Sequence, residues 1–114
     1  MTPTDFRRIA LSMPGAEESY RYGRSHFRVA RKVFATLEGV ADSNAVVLLT
    51  PEQQAMFGGA VFEPEPGGEG RLGVTIVRLA KASEATVTEA LTAAWENVVP
   101  KHQRARRKGV TGGQ

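Results

Sequence analysis

The stretch SHFRVARKVFATLE, residues 25–38, decides how this chain folds. Phe27 and Val29 alternate with His26 and Arg28, the period-two pattern of a strand with one face buried. Ala30, Arg31 and Lys32 interrupt it, and residues 33–37 resume as a β-branched and aromatic run. The two halves read as a β-hairpin. Two turn lengths fit these residues. A two-residue turn places Phe27, Val29 and Phe34 on one face; a three-residue turn pairs Phe27 and Val29 with Val33, Ala35 and Leu37. In both, Arg31 and Lys32 stand at or beside the tip.

Upstream, Thr2-Pro3-Thr4-Asp5 opens a helix with a capping hydroxyl, a first-turn proline and an acid at the positive dipole end. Phe6, Ile9, Ala10 and Met13 follow at helical spacing, and Pro14-Gly15 ends the element. EESYRYG (17–23) reads with the hairpin as strand. Downstream, Asp42-Ser43-Asn44 is turn chemistry and AVVLL (45–49) suits a central strand. Thr50-Pro51-Glu52-Gln53 opens a short second helix that ends at Gly58-Gly59. AVF (60–62) is a candidate brief strand, and EPEPGGEG (63–70) reads as a mobile, solvated loop. RLGVTIVRL (71–79) reads as the next strand. Ser83 caps a last helix whose stripe is Val87, Leu91, Ala94 and Val98 flanked by Trp95, with Pro100 as its stop.

The expected fold is therefore α+β in two layers, an antiparallel sheet with helices on one face, in the order α-β-β-β-α-β-β-α. Residues 1–100 form one domain. Residues 101–114 carry almost nothing apolar to bury, and this composition predicts a disordered basic tail.

Charge is segmented along the chain. Residues 1–32 hold seven basic side chains against three acids, a net +4; residues 33–100 hold three against nine, a net −6. The tail adds Lys101, Arg104, Arg106, Arg107 and Lys108 with no acid, a net +5. A polyanion would meet the two ends of the chain, not its middle. With no cysteine, disulfides, thiolate metal sites and a cysteine nucleophile are excluded. No apolar run reaches the roughly 20 residues a membrane span needs, and the first residues lack a secretory apolar core, so a cytoplasmic location is expected.

Chemistry is sparse. His26 and His102 lie far apart without acids at ligand spacing, so no metal site is expected. Glu17-Glu18 and the acids Glu63, Glu65 and Glu69 fall in turns or loop, where two carboxylates are hard to hold at a fixed separation. Neither a nucleophile elbow nor a nucleotide-binding glycine loop is present, so neither catalysis nor a cofactor is expected. What remains is basic. Arg28, Arg31 and Lys32, with Arg24 nearby, could line phosphates, and Arg104, Arg106, Arg107 and Lys108 could form an electrostatic arm for DNA or RNA. The plainer reading is a solvated hairpin face, and a tail that aids solubility and complements the last helix's dipole. Tyr20 and Tyr22 flank Arg21; they could stack on a base or fill a sheet edge.

Three segments carry a family resemblance: LSMPGAEE (11–18), HFRVARKVFATLE (26–38) and GRLGVTIVRL (70–79). Leu11, Pro14-Gly15 with the acids that follow, Lys32-Val33-Phe34-Ala35 and the glycine-led penultimate strand resemble the MmcQ/YjbR family over about residues 4–104. The resemblance implies a fold similar to CyaY-like and secretion-chaperone-like domains, and a DNA-binding role inferred from a double-wing shape. It implies no catalytic residue set, and structural roles for Pro14, Gly15, Lys32 and Phe34. The chain departs from the pattern at Arg31, where many members have glycine, and at Arg71-Leu72-Gly73, where many have tryptophan. Nucleic-acid binding is the first functional expectation. A protein–protein adaptor or chaperone-like module using an open sheet face is the second, and a small-molecule activity the third.

Overall fold

The computed structural model describes residues 1–38 and 44–99. Asp42, Ser43, Pro100 and the whole basic tail, with Lys101, His102, Arg104, Arg106, Arg107 and Lys108, lie outside the described residues. Helix α1 (Pro3–Leu11) is followed by four strands, β1 (Glu17–Arg21), β2 (Arg24–Val29), β3 (Lys32–Glu38) and β4 (Ala45–Leu48). Helix α2 (Pro51–Phe57), strand β5 (Phe62–Pro64), the one-turn helix α3 (Gly68–Arg71), strand β6 (Val74–Val77), a 3₁₀ turn (Leu79–Lys81) and helix α4 (Glu84–Val98) complete it. The six strands form one antiparallel sheet ordered β1-β2-β3-β4-β6-β5. The α+β class and the antiparallel sheet are as the sequence predicts.

The caps explain where the helices start. Thr2 accepts from the Asp5 amide while Asp5 accepts from the Thr2 amide, and Thr50 and Gln53 repeat the exchange at α2. Ser83 accepts from the Thr86 amide at α4. Phe6, Ile9 and Ala10 of α1 and Val87, Ala90, Leu91, Ala94 and Trp95 of α4 are buried on one side of the sheet. They meet Phe27, Val29, Phe34, Ala35, Leu37, Ala45, Val47 and Val77 from the strands. Trp95 is wholly buried, and its Nε1–H donates to the Pro14 carbonyl at 2.8 Å, joining α4 to the turn that leaves α1.

Both hairpin registers implied by the sequence are used, one after the other. The turn has two residues, Ala30 and Arg31, both at positive φ (52° and 71°), so Val29 pairs with Lys32 and Arg28 with Val33. A bulge then inserts Phe34, and Phe27 pairs with Ala35. Phe34, Ala35 and Leu37 are all buried as a result. Residues 17–21 form a strand of their own, joined to β2 by a second two-residue turn, Tyr22-Gly23, also at positive φ (55° and 77°).

The segment expected to be a mobile loop is ordered. Phe62–Pro64 is a short edge strand paired to β6, and Gly68–Arg71 is helical. Gly70 makes this possible, because a Cβ there would lie 1.9 Å from the Glu65 carbonyl oxygen. The last strand is also shorter than its apolar run, starting only at Val74 because Gly73 turns at φ +106°. A Cβ on Gly73 would sit 1.8 Å from the Leu49 oxygen, while the Leu49 amide donates to the Gly73 carbonyl at 3.0 Å.

Gly73→Ala combines a backbone clash with a left-handed conformation, so thermal or urea unfolding should show a loss of at least about 2 kcal/mol. Trp95→Phe keeps most of the ring volume but leaves the Pro14 carbonyl without its indole donor. It should cost about 1–3 kcal/mol by the same measurement.

Candidate functional site

With α1, α2 and α4 on one face, none of these three helices covers the other face of the sheet. α2 joins the covered side through Gln54, which donates to the buried Thr75 hydroxyl at 2.9 Å, and through Phe57 packed on Phe62. Strand alternation and the register then assign the open face. Glu17, Ser19 and Arg21 of β1 stand beside Arg28, His26 and Arg24 of β2. Val33 and Thr36 of β3 come next, then Val46 and Leu48 of β4, Ile76 and Val74 of β6, and Glu63 of β5. The face is basic at the β1–β2 end and aliphatic in the middle.

Arginines fall into two groups. Arg7 pairs with Glu18 at 2.8 Å, Arg8 with Glu84 at 2.7 Å and Arg78 with Glu63 at 2.8 Å. Two hydrogen bonds from Arg78 hold the Glu63 carboxyl below its ordinary range. By contrast Arg21, Arg28, Arg31 and Lys32 form no ion pair among the described residues. Glu17 stands across from Arg28 in the register without pairing to it. The Nε of Arg28 and Nδ1 of His26 are buried and no protein group accepts from or donates to them. A buried polar atom left this way costs about 1–3 kcal/mol.

Of the residues singled out in sequence, Arg24 and Arg28 lie on the open face, about one strand's length from end to end of β2. Arg31 and Lys32 lie at the far tip, with Lys32 paired to the core-facing Val29 and so on the opposite side from Arg28. The four do not make one line. What the fold brings to Arg28 instead is Ser19, Arg21, Tyr22 and His26, which with Val33 line a cleft of about 230 Å³. Tyr20 and Tyr22 fill no edge; they are 66% and 95% exposed. The sequence carried part of this signal, since Arg24, His26 and Arg28 alternate. Ser19 and Arg21 join them only through the β1–β2 register.

A family model described as YjbR matches residues 11–97. The chain belongs to the YjbR family. No curated protein matches it. Within this YjbR-family domain, the matched span covers the hairpins, the cleft and most of α4, so the open face belongs to the family core. Among the described residues no helix is long and apolar enough to cross a membrane, and no group of three or more His, Asp or Glu could hold a metal ion.

The hairpin is anchored from the covered side. Glu18 accepts from Ser25 at 2.5 Å and from Arg7 of α1 at 2.8 Å, tying β1 and β2 to the helix layer. Burial pushes the Glu18 carboxyl up, but the Ser25 hydroxyl and the Arg7 guanidinium outweigh it, and the net shift is downward. A carboxyl whose pKa is lower folded than unfolded contributes stability that is complete above the unfolded value. It is lost as pH falls through the folded one. Glu18→Gln should therefore cost about 1 kcal/mol at neutral pH. The gap between variant and parent should close as pH falls from the ordinary glutamate value of 4.5 through the lowered one, in melts followed by circular dichroism.

Proposed function

We propose that this is a non-enzymatic, cytoplasmic binding domain that contacts nucleic acid with low sequence specificity through its basic hairpin. The carrying observation is Arg31. It is exposed, unpaired among the described residues, and held at φ 71° in a two-residue turn where glycine would sit without strain. Left-handed backbone costs an L-residue about 1–2 kcal/mol, and the sheet gains nothing from the side chain in return. Strain of this kind, kept at an exposed charge, favours a role for the charge. Lys32 is exposed beside it, and Arg24 and Arg28 add positive charge along β2. The tail residues Arg104, Arg106, Arg107 and Lys108 extend the same chemistry as an arm. Phosphate contacts carry no base information, so binding is expected to be tolerant of sequence, with DNA and RNA both candidate partners. Two tight hairpins share β2 at one edge of the sheet, and they support the double-wing, CyaY-like description that the family resemblance implies.

A second reading draws on the middle of the open face. Val33, Val46, Leu48, Val74 and Ile76 form a half-buried aliphatic strip with no helix over it. Such a strip favours a protein–protein adaptor or chaperone-like module.

Anisotropy titrations of a generic duplex at several salt concentrations separate the two. Arg31→Gly should raise stability by about 0.5–1 kcal/mol through relief of strain. It should also weaken duplex binding and reduce the slope of log affinity against log salt by up to ~0.9. Removing residues 101–114 should reduce the slope further. A parental slope in both variants, or no binding at low salt, would reject the nucleic-acid reading and leave the adaptor.

A further inference from the structure

We propose that the cleft between β1 and β2 is a binding site for a phosphate group that carries a nucleobase, with Arg21, His26 and Arg28 on the phosphate and Tyr22 under the base. The inference does not rest on the duplex reading, since neither Arg31 nor Lys32 lines this cleft.

Size argues for the phosphate. The cleft is open to solvent on one side and measures about 230 Å³, below the roughly 300–1,000 Å³ of sites that engulf a whole drug-sized ligand. It has room for a phosphate and part of a sugar, not for a base as well. Its donors come from two adjacent strands: the Ser19 hydroxyl and Arg21 from β1, His26 and Arg28 from β2. Two guanidiniums, an imidazole and a hydroxyl offer more donors than a flat carboxylate uses, whose two oxygens one guanidinium can satisfy, and suit the several oxygens of a tetrahedral oxyanion. Arg28 and His26 both line the cleft, and Arg28 Nε and His26 Nδ1 have no hydrogen-bond partner among the described residues. Glu17 is the acid nearest in register to Arg28, and it leaves that guanidinium unpaired.

Tyr22 argues for the base. It lines the cleft, is 95% exposed and sits at φ 55° in the first position of its turn, where asparagine is the favoured residue before glycine. An aromatic ring at such a position packs on nothing in the domain. A flat partner stacked on it would give that ring a use, and stacking is indifferent to which base is present.

The site can be read directly by NMR, titrating the full chain with adenosine monophosphate, inorganic phosphate, adenosine, and a tetrathymidylate lacking a terminal phosphate. Amide shifts at Ser19, Arg21, Tyr22, His26, Arg28 and Val33 are expected with the monophosphate, smaller ones with inorganic phosphate, and none localised there with adenosine. Tighter binding of the monophosphate than of the oligonucleotide would name a free nucleotide as the source, and the reverse a single strand. Arg28→Gln should weaken the monophosphate by about tenfold or more. Tyr22→Asn suits the turn, so the fold is retained, and it should remove about fivefold or more of the preference for the monophosphate over phosphate. Arg31→Gly should change neither. Shifts spread over every exposed cation, or localised shifts that survive both cleft substitutions, would overturn the proposal whatever the duplex titrations give.

Discussion

The Trp95 indole sits at the centre of the molecule, and its single donor decides where the helices go. Its N–H reaches the Pro14 carbonyl, at the turn that leaves α1. A buried indole without an acceptor would be costly, so α4 must lie where that carbonyl is, and α1 must end beside it. Phe6, packed edge-on to Phe27 at 6.2 Å, then holds α1 against the same side of the sheet. Both long helices are committed to one face, and the other face is left to solvent or to a partner. The cleft between β1 and β2 and the aliphatic strip beside it both depend on that asymmetry.

The open face is organised by how its charges are used. On the covered side and at the far edge, arginines are bound to carboxylates: Arg7 to Glu18, Arg8 to Glu84, Arg78 to Glu63. These pairs tie elements together, most usefully at Glu18, which holds the first hairpin to α1. Exposed pairs of this type contribute modestly to stability, so their main effect is to fix positions. At the β1–β2 end Arg21 and Arg28 form no ion pair among the described residues. Two tight turns bracket them, and each places a side chain other than glycine in left-handed backbone. In a sheet otherwise built from well-matched pairs, strain and unpaired charge occur together, at one end.

Much of this was legible in the sequence. Thr2, Thr50 and Ser83 announce three helices through chemistry local to four residues, and the helical stripes of α1 and α4 name their buried faces. The alternation in residues 25–29 and the tip at Arg31 were equally plain. The bulge at Phe34 was not, because it depends on how a hydrophobic cluster from α1 and α4 receives two consecutive buried residues, Phe34 and Ala35. The loop at 63–70 misled for a related reason. Its prolines and glycines describe flexible backbone in isolation, yet Gly70 and Gly73 are there because other backbone approaches too closely for any side chain.

The sequence by itself determined the class of fold, its single sheet, the helix starts and the identity of the exposed basic residues, since periodicity, caps and charge are properties of neighbours along the chain. Only the tertiary structure decided which of those cations meet. Arg31 and Lys32 are adjacent in sequence to the strand that carries Arg28, but they lie at its far end or on its other side. Arg21, Ser19 and Tyr22 come from before the turn and are brought beside His26 and Arg28 by register alone. Pairing between strands is a long-range choice, set by which alignment buries the core faces of β2 and β3 beneath the helices. The cleft is a consequence of that choice.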